Sequence, residues 1–368
     1  MKYYIIAGER SGDLHGSNLI KAILQKDANA QIRAWGGDMM QEAGATLVKH
    51  YKDIAFMGFA EVIKNLPTIL GLLSFCKKDI QAYQPDVVIL IDYAGFNMRV
   101  AKFVKSIGIK TFYYISPKVW AWNQSRALNI KKFVDRMFVI FPFEKDFFKK
   151  YDYEVDYVGN PLFDAIADFQ PKPNFRKEAR VGQKPIIALL PGSRHQEVAK
   201  ILPMMVAQAY NFPDYQFVIA GVSNLPKELY ARWQSIFPIK VVYDDAYNLL
   251  SVADAALVTS GTATLETALL NIPQVVCYKT SGISFAIAKM VIKVPYISLV
   301  NLVAQKKIVP ELIQEDLNNI TVQEELKKIL TPEGRQAQLE GYAEVRALLG
   351  DTGASAKAGS LMMDYLLK

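Results

Sequence analysis

Residues 2–16 read KYYIIAGERSGDLHG, an apolar, strand-like run that stops at small residues and continues as a helix-like pattern. Two later stretches repeat this arrangement, IIALLPGSR at 186–194 and ALVTSGTATLE at 256–266. Such junctions expose backbone N–H groups at a helix N-terminus, where an anion binds well. Three of them on two halves of the chain predict two α/β domains facing a cleft that holds a phosphorylated ligand. The motifs G-x-x-x-x-G-K-[ST] and G-x-G-x-x-G are absent from the sequence, so these junctions alone indicate no particular activity.

The length and composition allow two domains of ordinary size. With 368 residues, of which 51% are hydrophobic, the chain can bury its cores without covalent or metal cross-links. Cys76 and Cys277 lie far apart in apolar contexts, which favours buried, reduced thiols. The three histidines lack the spacing of metal ligands. We therefore predict neither a metal site nor a cofactor.

The net charge of +7 indicates an anionic partner. Nucleic acid is not favoured, because the basic residues are not interleaved with aromatic residues in one stripe. An anionic membrane surface is the other option. Glu9 and Arg10 interrupt the N-terminal apolar run too early for a signal peptide, and no stretch reaches the roughly 20 apolar residues of a membrane-spanning helix. We predict a cytoplasmic protein.

Strand-like and helix-like segments alternate through the first half and predict a parallel sheet covered on both faces. The stretch DVVILID (86–92) is apolar between its end carboxylates, as expected of a strand buried on both faces. The candidate strands are 2–7, 31–35, 86–91, 110–115 and 136–140, and the candidate helices are 16–26, 60–83, 97–107 and 144–150.

Prolines among polar residues at about 160–185 predict a linker, after which the alternation restarts. The candidate strands of this second half lie near 185–190, 215–220, 239–243, 255–259 and 274–277. The tail from about 321 reads mainly as helix, interrupted at Gly341 and Gly350–Gly353. We predict two doubly wound, Rossmann-like domains, 1–165 and 166–340, and a helical tail, 341–368, that packs on the N-terminal domain or on a partner subunit.

Residues 54–75 carry more apolar side chains than one face of a surface helix requires. One interpretation is an ordinary core helix. The other is a segment whose surplus apolar face enters the membrane interface, with Lys64, Lys77 and Lys78 at the level of the headgroups.

Asp92 ends the apolar strand of the first half, and a tight loop follows it. A carboxylate at the carboxyl end of a parallel strand lies where α/β proteins bind ligands. It could remove a proton from an acceptor hydroxyl. An aspartate here could equally be the N-cap of the next helix.

Two charged residues follow the junctions of the second half. Glu266 lies one turn into the helix opened by Ser260-Gly261-Thr262, where it could accept the ribose hydroxyls of a nucleotide or merely complement the helix dipole. Arg194 could neutralise a leaving diphosphate or be an exposed arginine at a loop tip. Because the sequence has no Asp-x-Asp metal clamp, a sugar transferase of this kind would stabilise its leaving group with N–H groups and cations.

Seven sequence blocks, in order and over nearly the whole chain, resemble the lipid-A-disaccharide synthase family. The blocks are AGERSGDLHG (7–16), IDYAGFN (91–97), YYISPKVWAW (113–122) with Arg126 beyond it, VGNPL (158–162), LLPGSRHQEV (189–198), SGTATLE (260–266), and NLVA (301–304) with PELIQ (310–314).

The resemblance implies an inverting glycosyltransferase of GT-B architecture at the cytoplasmic face of the inner membrane. Its donor substrate would be uridine diphosphate (UDP)-2,3-diacylglucosamine. Its acceptor would be 2,3-diacylglucosamine 1-phosphate (lipid X), which reacts through its 6-hydroxyl. The products would be the disaccharide 1-phosphate and UDP. The acyl chains would account for the surplus of apolar residues at 54–75. A homodimer is compatible with the resemblance.

The resemblance also implies roles for individual residues. Asp92 would be the general base, with Asp13 as the second choice, and Arg194 would stabilise the departing UDP. The implied substrate-binding residues are Ser11, Gly12, His15, Asn97, Ser193, Ser260, Gly261, Thr262, Glu266, Asn301, Glu311 and Gln314.

Two other functions are compatible with the residues. A UDP-N-acetylglucosamine epimerase of the same architecture would not need a lipid-facing segment, and would act on a soluble UDP-sugar without detergent. A non-catalytic membrane module that holds a UDP-sugar would not need Asp92 and Arg194, and loss of turnover with retained UDP binding on Asp92→Ala would decide against it.

Overall fold

The computed structural model describes residues 1–54, 66–282, 285 and 294–367. The chain forms two compact units. The first contains Met1–Asp164 and Asp351–Lys368, and the second contains Ala165–Gly350. The chain therefore enters the second unit after Asp164 and returns to the first after Gly350.

Parallel sheets form the centre of both units. The strands are β1 (Lys2–Ala7), β2 (Gln31–Gly36), β3 (Thr46–His50), β4 (Val87–Ile91), β5 (Lys110–Tyr114), β6 (Arg136–Val139), β7 (Asp156–Tyr157), β8 (Ile186–Leu190), β9 (Gln216–Gly221), β10 (Lys240–Tyr243), β11 (Ala255–Thr259), β12 (Gln274–Tyr278) and β13 (Glu311–Ile313).

Helices connect these strands and follow the last of them. The α-helices of the described residues are α1 (Arg10–Lys26), α2 (Asp38–Glu42), α3 (Leu66–Tyr83), α4 (Ala94–Ser106), α5 (Val119–Trp122), α6 (Arg126–Phe133), α7 (Phe143–Lys149), α8 (Pro161–Ala167), α9 (Phe175–Glu178), α10 (His195–Val206), α11 (Glu228–Gln234), α12 (Ala246–Leu250), α13 (Thr262–Leu269), α14 (Leu299–Ala304), α15 (Asn319–Leu330), α16 (Pro332–Leu349) and α17 (Ala354–Leu367).

The two sheets share one strand order, which confirms the doubly wound α/β prediction. The first runs β3-β2-β1-β4-β5-β6-β7 and the second β10-β9-β8-β11-β12-β13. Neighbouring strands pair in parallel, with Ala7 opposite Ile91 in the first sheet and Leu190 opposite Val258 in the second. The order of connection reverses between β1 and β4 and between β8 and β11, and such switch points are where open α/β sheets bind ligands.

The central strands were predictable because they are buried on both faces. Every residue of β4, β8 and β11 is buried, so each strand reads as a continuous run of almost wholly apolar residues. The sequence did not predict β3, β7 or β13. These strands lie at or beside the sheet edges, are short, and leave most of their side chains partly exposed, so they lack that apolar signal.

The C-terminal tail differs from the prediction in one detail. Gly341 does not interrupt the helix but lies inside α16, where a Cβ atom would approach Ile308 Cγ2 to 2.4 Å. The glycine therefore permits close packing. Helix α16 continues past residue 341, the predicted start of the tail, and belongs to the second unit.

The last helix, α17, packs on α1 within the first unit. A Cβ atom on Gly359 would lie 3.0 Å from the Cβ of Ala22, so the two helices approach closely. The Tyr3 hydroxyl donates to Met363 Sδ (2.9 Å) from the neighbouring strand. The end of the chain therefore completes the core of the first unit.

Candidate active site

Asp92 follows β4 directly and has an unusual backbone conformation. Its φ is 43° and that of Tyr93 is 47°, so two successive non-glycine residues lie in the left-handed region. The backbone is fixed from both sides: the Asp92 N–H donates to the Tyr114 carbonyl (3.3 Å), and the Asp92 carbonyl accepts from the Tyr113 hydroxyl. The N-cap position of α4 belongs to Tyr93, not to Asp92. The aspartate is thus held at the mouth of the sheet by contacts other than helix capping.

The electrostatic surroundings of Asp92 combine burial with a cation. Burial raises the pKa of its carboxyl, while the ammonium of Lys118 and the N–H of Tyr93 lower that pKa. Lys118 lies in the loop that follows β5, the strand paired with β4. Sequence analysis did not identify Lys118. The available signal was its place in the loop that follows β5, the strand next to the one that ends at Asp92.

A second buried carboxylate, Glu144, was also missed. Its side chain is 1% exposed and accepts hydrogen bonds from the Ser116 hydroxyl, Trp120 Nε1 (3.2 Å), and the N–H groups of Ile140 (3.1 Å) and Phe141 (2.9 Å). Burial raises its pKa to about 7 despite these donors. Glu144 therefore fixes the loop that contains Lys118.

Asp13, the second choice for the base, is bound to the backbone of another element. Its carboxylate is 2% exposed and accepts from the N–H groups of Gly37 (2.7 Å), Met39 (3.2 Å) and Met40 (3.1 Å). These are the N–H groups at the start of α2, which an acceptor must satisfy. Asp13 therefore caps a neighbouring helix, and both of its carboxylate oxygens already accept hydrogen bonds.

The amide nitrogen of Asn97 likewise supports the loop. It is fully buried, and its amide nitrogen donates to the carbonyls of Ile91 (3.2 Å) and Asp92 (2.9 Å). The predicted substrate-binding residue is thus part of the support of Asp92.

Three other predicted residues of the first unit lie on the first turns of α1. Ser11 is exposed and Gly12 is buried against β1, where a Cβ atom would lie 3.0 Å from the Cβ of Ala7. Burial lowers the pKa of His15 to about 4, and its Nδ1 has no hydrogen-bond partner among the described residues. The imidazole is therefore neutral, and its unpaired Nδ1 is itself buried.

In the second unit, the loop after β8 presents Ser193 and Arg194 at the start of α10. Both residues are exposed, and Arg194 is the N-cap residue of that helix. Arg194 Nη1 pairs with Glu197 Oε1 (3.1 Å) although 63% of the arginine side chain is exposed. A pair this exposed contributes little to stability, so the guanidinium can exchange Glu197 for a stronger anion.

The loop after β11 leaves the N-terminus of α13 accessible. Gly261 has φ 149°, a conformation that a side chain rarely permits, and a Cβ atom there would meet no atom within 4 Å. Thr262 is exposed, whereas the Ser260 hydroxyl donates to the Ile297 carbonyl (2.8 Å). Open space in front of a helix N-terminus suits a phosphate oxygen.

Glu266 lies one turn into α13 and is partly buried. Its Oε1 accepts from the Tyr247 hydroxyl (2.9 Å), and burial raises its pKa although this bond lowers it. Tyr247, which sequence analysis missed, orients the carboxylate. The second oxygen and the tyrosine oxygen form a polar pair suited to a diol.

Asn301, Glu311 and Gln314 serve the fold. Asn301 uses the full capacity of its amide, accepting from two N–H groups and donating to the Val309 carbonyl and to Glu311. Glu311 also accepts from the backbone of Ile297 and Ser298, and Gln314 Oε1 accepts from the Thr280 N–H (2.7 Å). These bonds anchor the backbone around α14, and the substrate-binding role of the three residues stays a prediction.

The predicted membrane-facing segment is described in part, since residues 55–65 lie outside the described residues. In α3, Leu70 is 53% exposed, and Ile69 and Leu72 are partly exposed. Leu73 is buried and belongs to the core. No helix among the described residues combines the length and hydrophobicity needed to cross a bilayer.

Three kinds of comparison relate these features to known proteins. A family model described as lipid-A-disaccharide synthetase matches residues 3–362. A lipid-A-disaccharide synthase of Syntrophus aciditrophicus is 38% identical over 374 residues, covering 99% of this chain and 97% of the relative. The corresponding enzyme of Myxococcus xanthus is 34% identical over 371 residues, covering 98% of this chain and 97% of the relative.

Solved structures with similar folds include sugar-nucleotide enzymes. A UDP-GlcNAc 2-epimerase of Neisseria meningitidis bound to UDP-GlcNAc superposes with a TM-score of 0.67 at 12% identity, covering all of both chains. MnaA of S. aureus, solved with UDP, gives a TM-score of 0.71 at 15% identity, covering 100% of this chain and 97% of that one. At such low identity these likenesses establish the fold alone.

Proposed function

The chain belongs to the lipid-A-disaccharide synthase family, and we propose that it transfers 2,3-diacylglucosamine from its UDP conjugate to the 6-hydroxyl of 2,3-diacylglucosamine 1-phosphate. Membership makes the chain a glycosyltransferase that forms the lipid A disaccharide from a UDP-sugar. The observation that carries the proposal is the family match from residue 3 to residue 362, which includes every loop at the two switch points.

The proposed reaction is a single displacement with Asp92 as general base. Asp92 takes the proton of the acceptor hydroxyl, whose oxygen attacks the anomeric carbon of the donor as the bond to the diphosphate breaks. UDP leaves with the bonding electron pair, and the configuration inverts. The strained, doubly anchored backbone of Asp92 supports this role, because a base must be held within hydrogen-bond reach of the proton it removes.

The leaving group is assigned to the second unit. The open N-terminus of α13 at Gly261 and Thr262 offers N–H groups to the diphosphate, and Arg194 exchanges its weak partner Glu197 for a phosphate oxygen. Glu266, oriented by Tyr247, accepts the ribose hydroxyls. On the acceptor side, Ser11 and His15 bind the sugar or its phosphate.

The acyl chains of both substrates give a reason for the exposed apolar side chains of α3. We propose that Ile69, Leu70 and Leu72 enter the interface of the anionic, cytoplasmic face of the inner membrane. Lys49, whose ammonium lies 5.8 Å from the Phe75 ring centroid, and Lys77, 5.3 Å from that of Phe103, stand beside this face. Basic residues next to an apolar face are typical of peripheral binding to anionic lipid.

The direct test is a product assay with UDP-2,3-diacylglucosamine and lipid X in detergent micelles, read by mass spectrometry. We expect one disaccharide 1-phosphate for each UDP released, with release dependent on the acceptor. Turnover of the UDP-sugar without acceptor, or a product isomeric with the donor, would contradict the proposal and favour an epimerase.

A further inference from the structure

The loop after β4 combines backbone strain with an unsatisfied polar atom. Asp92 (φ 43°) and Tyr93 (φ 47°) both lie in the left-handed region, which non-glycine residues rarely occupy. Asn97, in the first turns of α4, is fully buried, and its Oδ1 has no hydrogen-bond partner among the described residues. A buried acceptor without a partner destabilises a fold. Two such costs in one loop indicate a geometry that is kept for function.

Hydrogen bonds to the Asp92 carbonyl hold this geometry from the side of β5 and α4. The carbonyl accepts from the Tyr113 hydroxyl and from Asn97 Nδ2 (2.9 Å). The Asp92 N–H still bonds to the backbone of β5, at the Tyr114 carbonyl (3.3 Å). The chain therefore leaves the sheet within a single residue, and side-chain donors replace those of a neighbouring strand. Tyr113 is fully buried, so the protein core fixes the position of its hydroxyl.

The ring of Tyr93 holds the loop from the side of β1. Strands β1 and β4 are paired, and Gly8 and Asp92 are the first residues beyond them. A Cβ atom on Gly8 would lie 2.3 Å from Tyr93 Cγ, so the ring rests directly on the glycine backbone. The Tyr93 hydroxyl donates to the Ile54 carbonyl (2.8 Å), which fixes the far end of the ring. A side chain at position 8 would displace Tyr93 from this place.

We propose that Tyr113, from β5, and Tyr93, seated on Gly8, are positioning residues that direct the Asp92 carboxylate at the acceptor hydroxyl. The inference rests on the proposed role of Asp92 as the general base, and neither tyrosine is required to touch substrate. Because the direction of a side chain follows from its backbone conformation, a shift of this loop moves the carboxylate. A misplacement of about 1 Å can lower a rate by about a hundredfold.

The first test is Tyr113→Phe, which removes the hydroxyl and keeps the ring. We expect kcat to fall by about tenfold to a hundredfold, while the affinity for UDP, assigned to the second unit, stays near wild type. The matched control is Tyr153→Phe, at another buried tyrosine of the first unit, whose hydroxyl donates to the Val134 carbonyl (3.0 Å).

Both variants lose one hydrogen bond from a buried tyrosine to a backbone carbonyl. Their melting temperatures should therefore fall alike, whereas only Tyr113→Phe should lose turnover. Equal kcat values for Tyr113→Phe and Tyr153→Phe would reduce Tyr113 to a structural residue and overturn the inference.

Gly8→Ala tests the loop from the other side. The added methyl group displaces the Tyr93 ring, so kcat should again fall by about tenfold or more with UDP affinity retained. The control is Gly359→Ala, where the new Cβ would lie 3.0 Å from the Cβ of Ala22, in the contact between α17 and α1. It should lower the melting temperature and leave kcat unchanged. If Gly8→Ala folds and keeps wild-type kcat, Tyr93 does not position Asp92; if it does not fold, Tyr113→Phe decides the inference alone.

A double variant shows whether Tyr113 acts through Asp92. In the Asp92→Asn background, Tyr113→Phe should change the residual kcat by less than about twofold, because the carboxylate that it positions is already lost. A further tenfold loss in the double variant would mean that Tyr113 acts independently of Asp92, which contradicts the inference.

Asp92→Asn alone separates this inference from the proposed function. If Asp92→Asn loses activity while Tyr113→Phe behaves like Tyr153→Phe, the inference fails and the proposed base stands. If Asp92→Asn retains activity, the proposed base itself fails.

Discussion

The two units share one strand order but differ in the backbone that follows their central strands. In the first unit, β4 and β5 run into Asp92, Tyr93 and Ile115, three non-glycine residues with φ between 43° and 65°. In the second unit, β8 and β11 are followed by Gly192 and Gly261, with φ of 110° and 149°.

This difference indicates that the two units contribute to the reaction in different ways. Strained backbone in the first unit fixes the direction of particular side chains and is maintained by surrounding contacts such as those of Tyr113 and Asn97. Glycines in the second unit remove side chains, so that backbone N–H groups can approach an anion. We therefore assign proton transfer to the first unit and diphosphate binding to the second, and the following predictions test that division.

The largest expected effect is that of Asp92→Asn. Because the variant cannot accept the proton, kcat should fall by about 10²–10⁴-fold, while UDP affinity, assigned to the other unit, should stay near wild type. The control is Asp146→Asn, which changes an exposed carboxylate of the first unit. If the variant keeps more than about half of the wild-type activity, Asp92 is not the general base.

Glu144 should make stability depend on pH. Its pKa rises from 4.5 to about 7 on folding, so between these values the folded state keeps a proton that the unfolded state has lost. Stability should therefore fall by about 3 kcal/mol as pH rises from 4.5 to 7, and then level off. Glu144→Gln should lack this slope and Glu154→Gln, at an exposed site, should keep it, as measured by urea unfolding at each pH.

Arg194→Ala tests the second unit. Loss of a charged hydrogen bond to the diphosphate should lower kcat/KM by about tenfold to a hundredfold and weaken UDP binding as well. Melting temperature should hardly change, because the pair with Glu197 is exposed. Arg232→Ala, also in the second unit, is the control. An effect on turnover without any effect on UDP binding would contradict the division of labour.

The lipid contact is assigned to the first unit and can be tested by changing Ile69, Leu70 and Leu72 together to Ser. At about 1 kcal/mol for each exposed apolar side chain, binding to anionic vesicles should weaken by about tenfold or more. High salt should weaken wild-type binding only in part, since salt screens charges and not apolar contacts. Leu73→Ser, at a buried position, should instead lower the melting temperature. A triple variant that unfolds would identify the face as core.

The smallest expected effect is that of EDTA. Because Arg194 and the N-terminus of α13 are assigned to the leaving group, and the sequence has no Asp-x-Asp, activity should persist after chelation. A complete loss of activity at saturating substrate that Mg²⁺ reverses would show that a metal ion stabilises the leaving diphosphate.

Part of the predicted site rests on position in the chain. Asp92, Arg194 and the loop Ser260–Thr262 come directly after apolar strands, and parallel strands bring their carboxyl ends to one edge. Asp13, predicted as the second choice for the base, and Asn97 and Asn301, which the resemblance assigns to substrate, also serve the fold through hydrogen bonds to backbone groups. A sequence position cannot separate these two uses, because both place a polar side chain near a strand end.

The sequence by itself determined the central strands of the two parallel sheets, because strands buried on both faces must be apolar. It also determined the family, since seven blocks in order are far more specific than any one of them. Tertiary structure decided which polar groups are left for a ligand. Asp13 finds its partners 24 to 27 residues away, and Glu144 finds Ser116 at a distance of 28 residues. Such bonds depend on which strands become neighbours, and burial then makes each unsatisfied donor costly enough to fix the side chain in place.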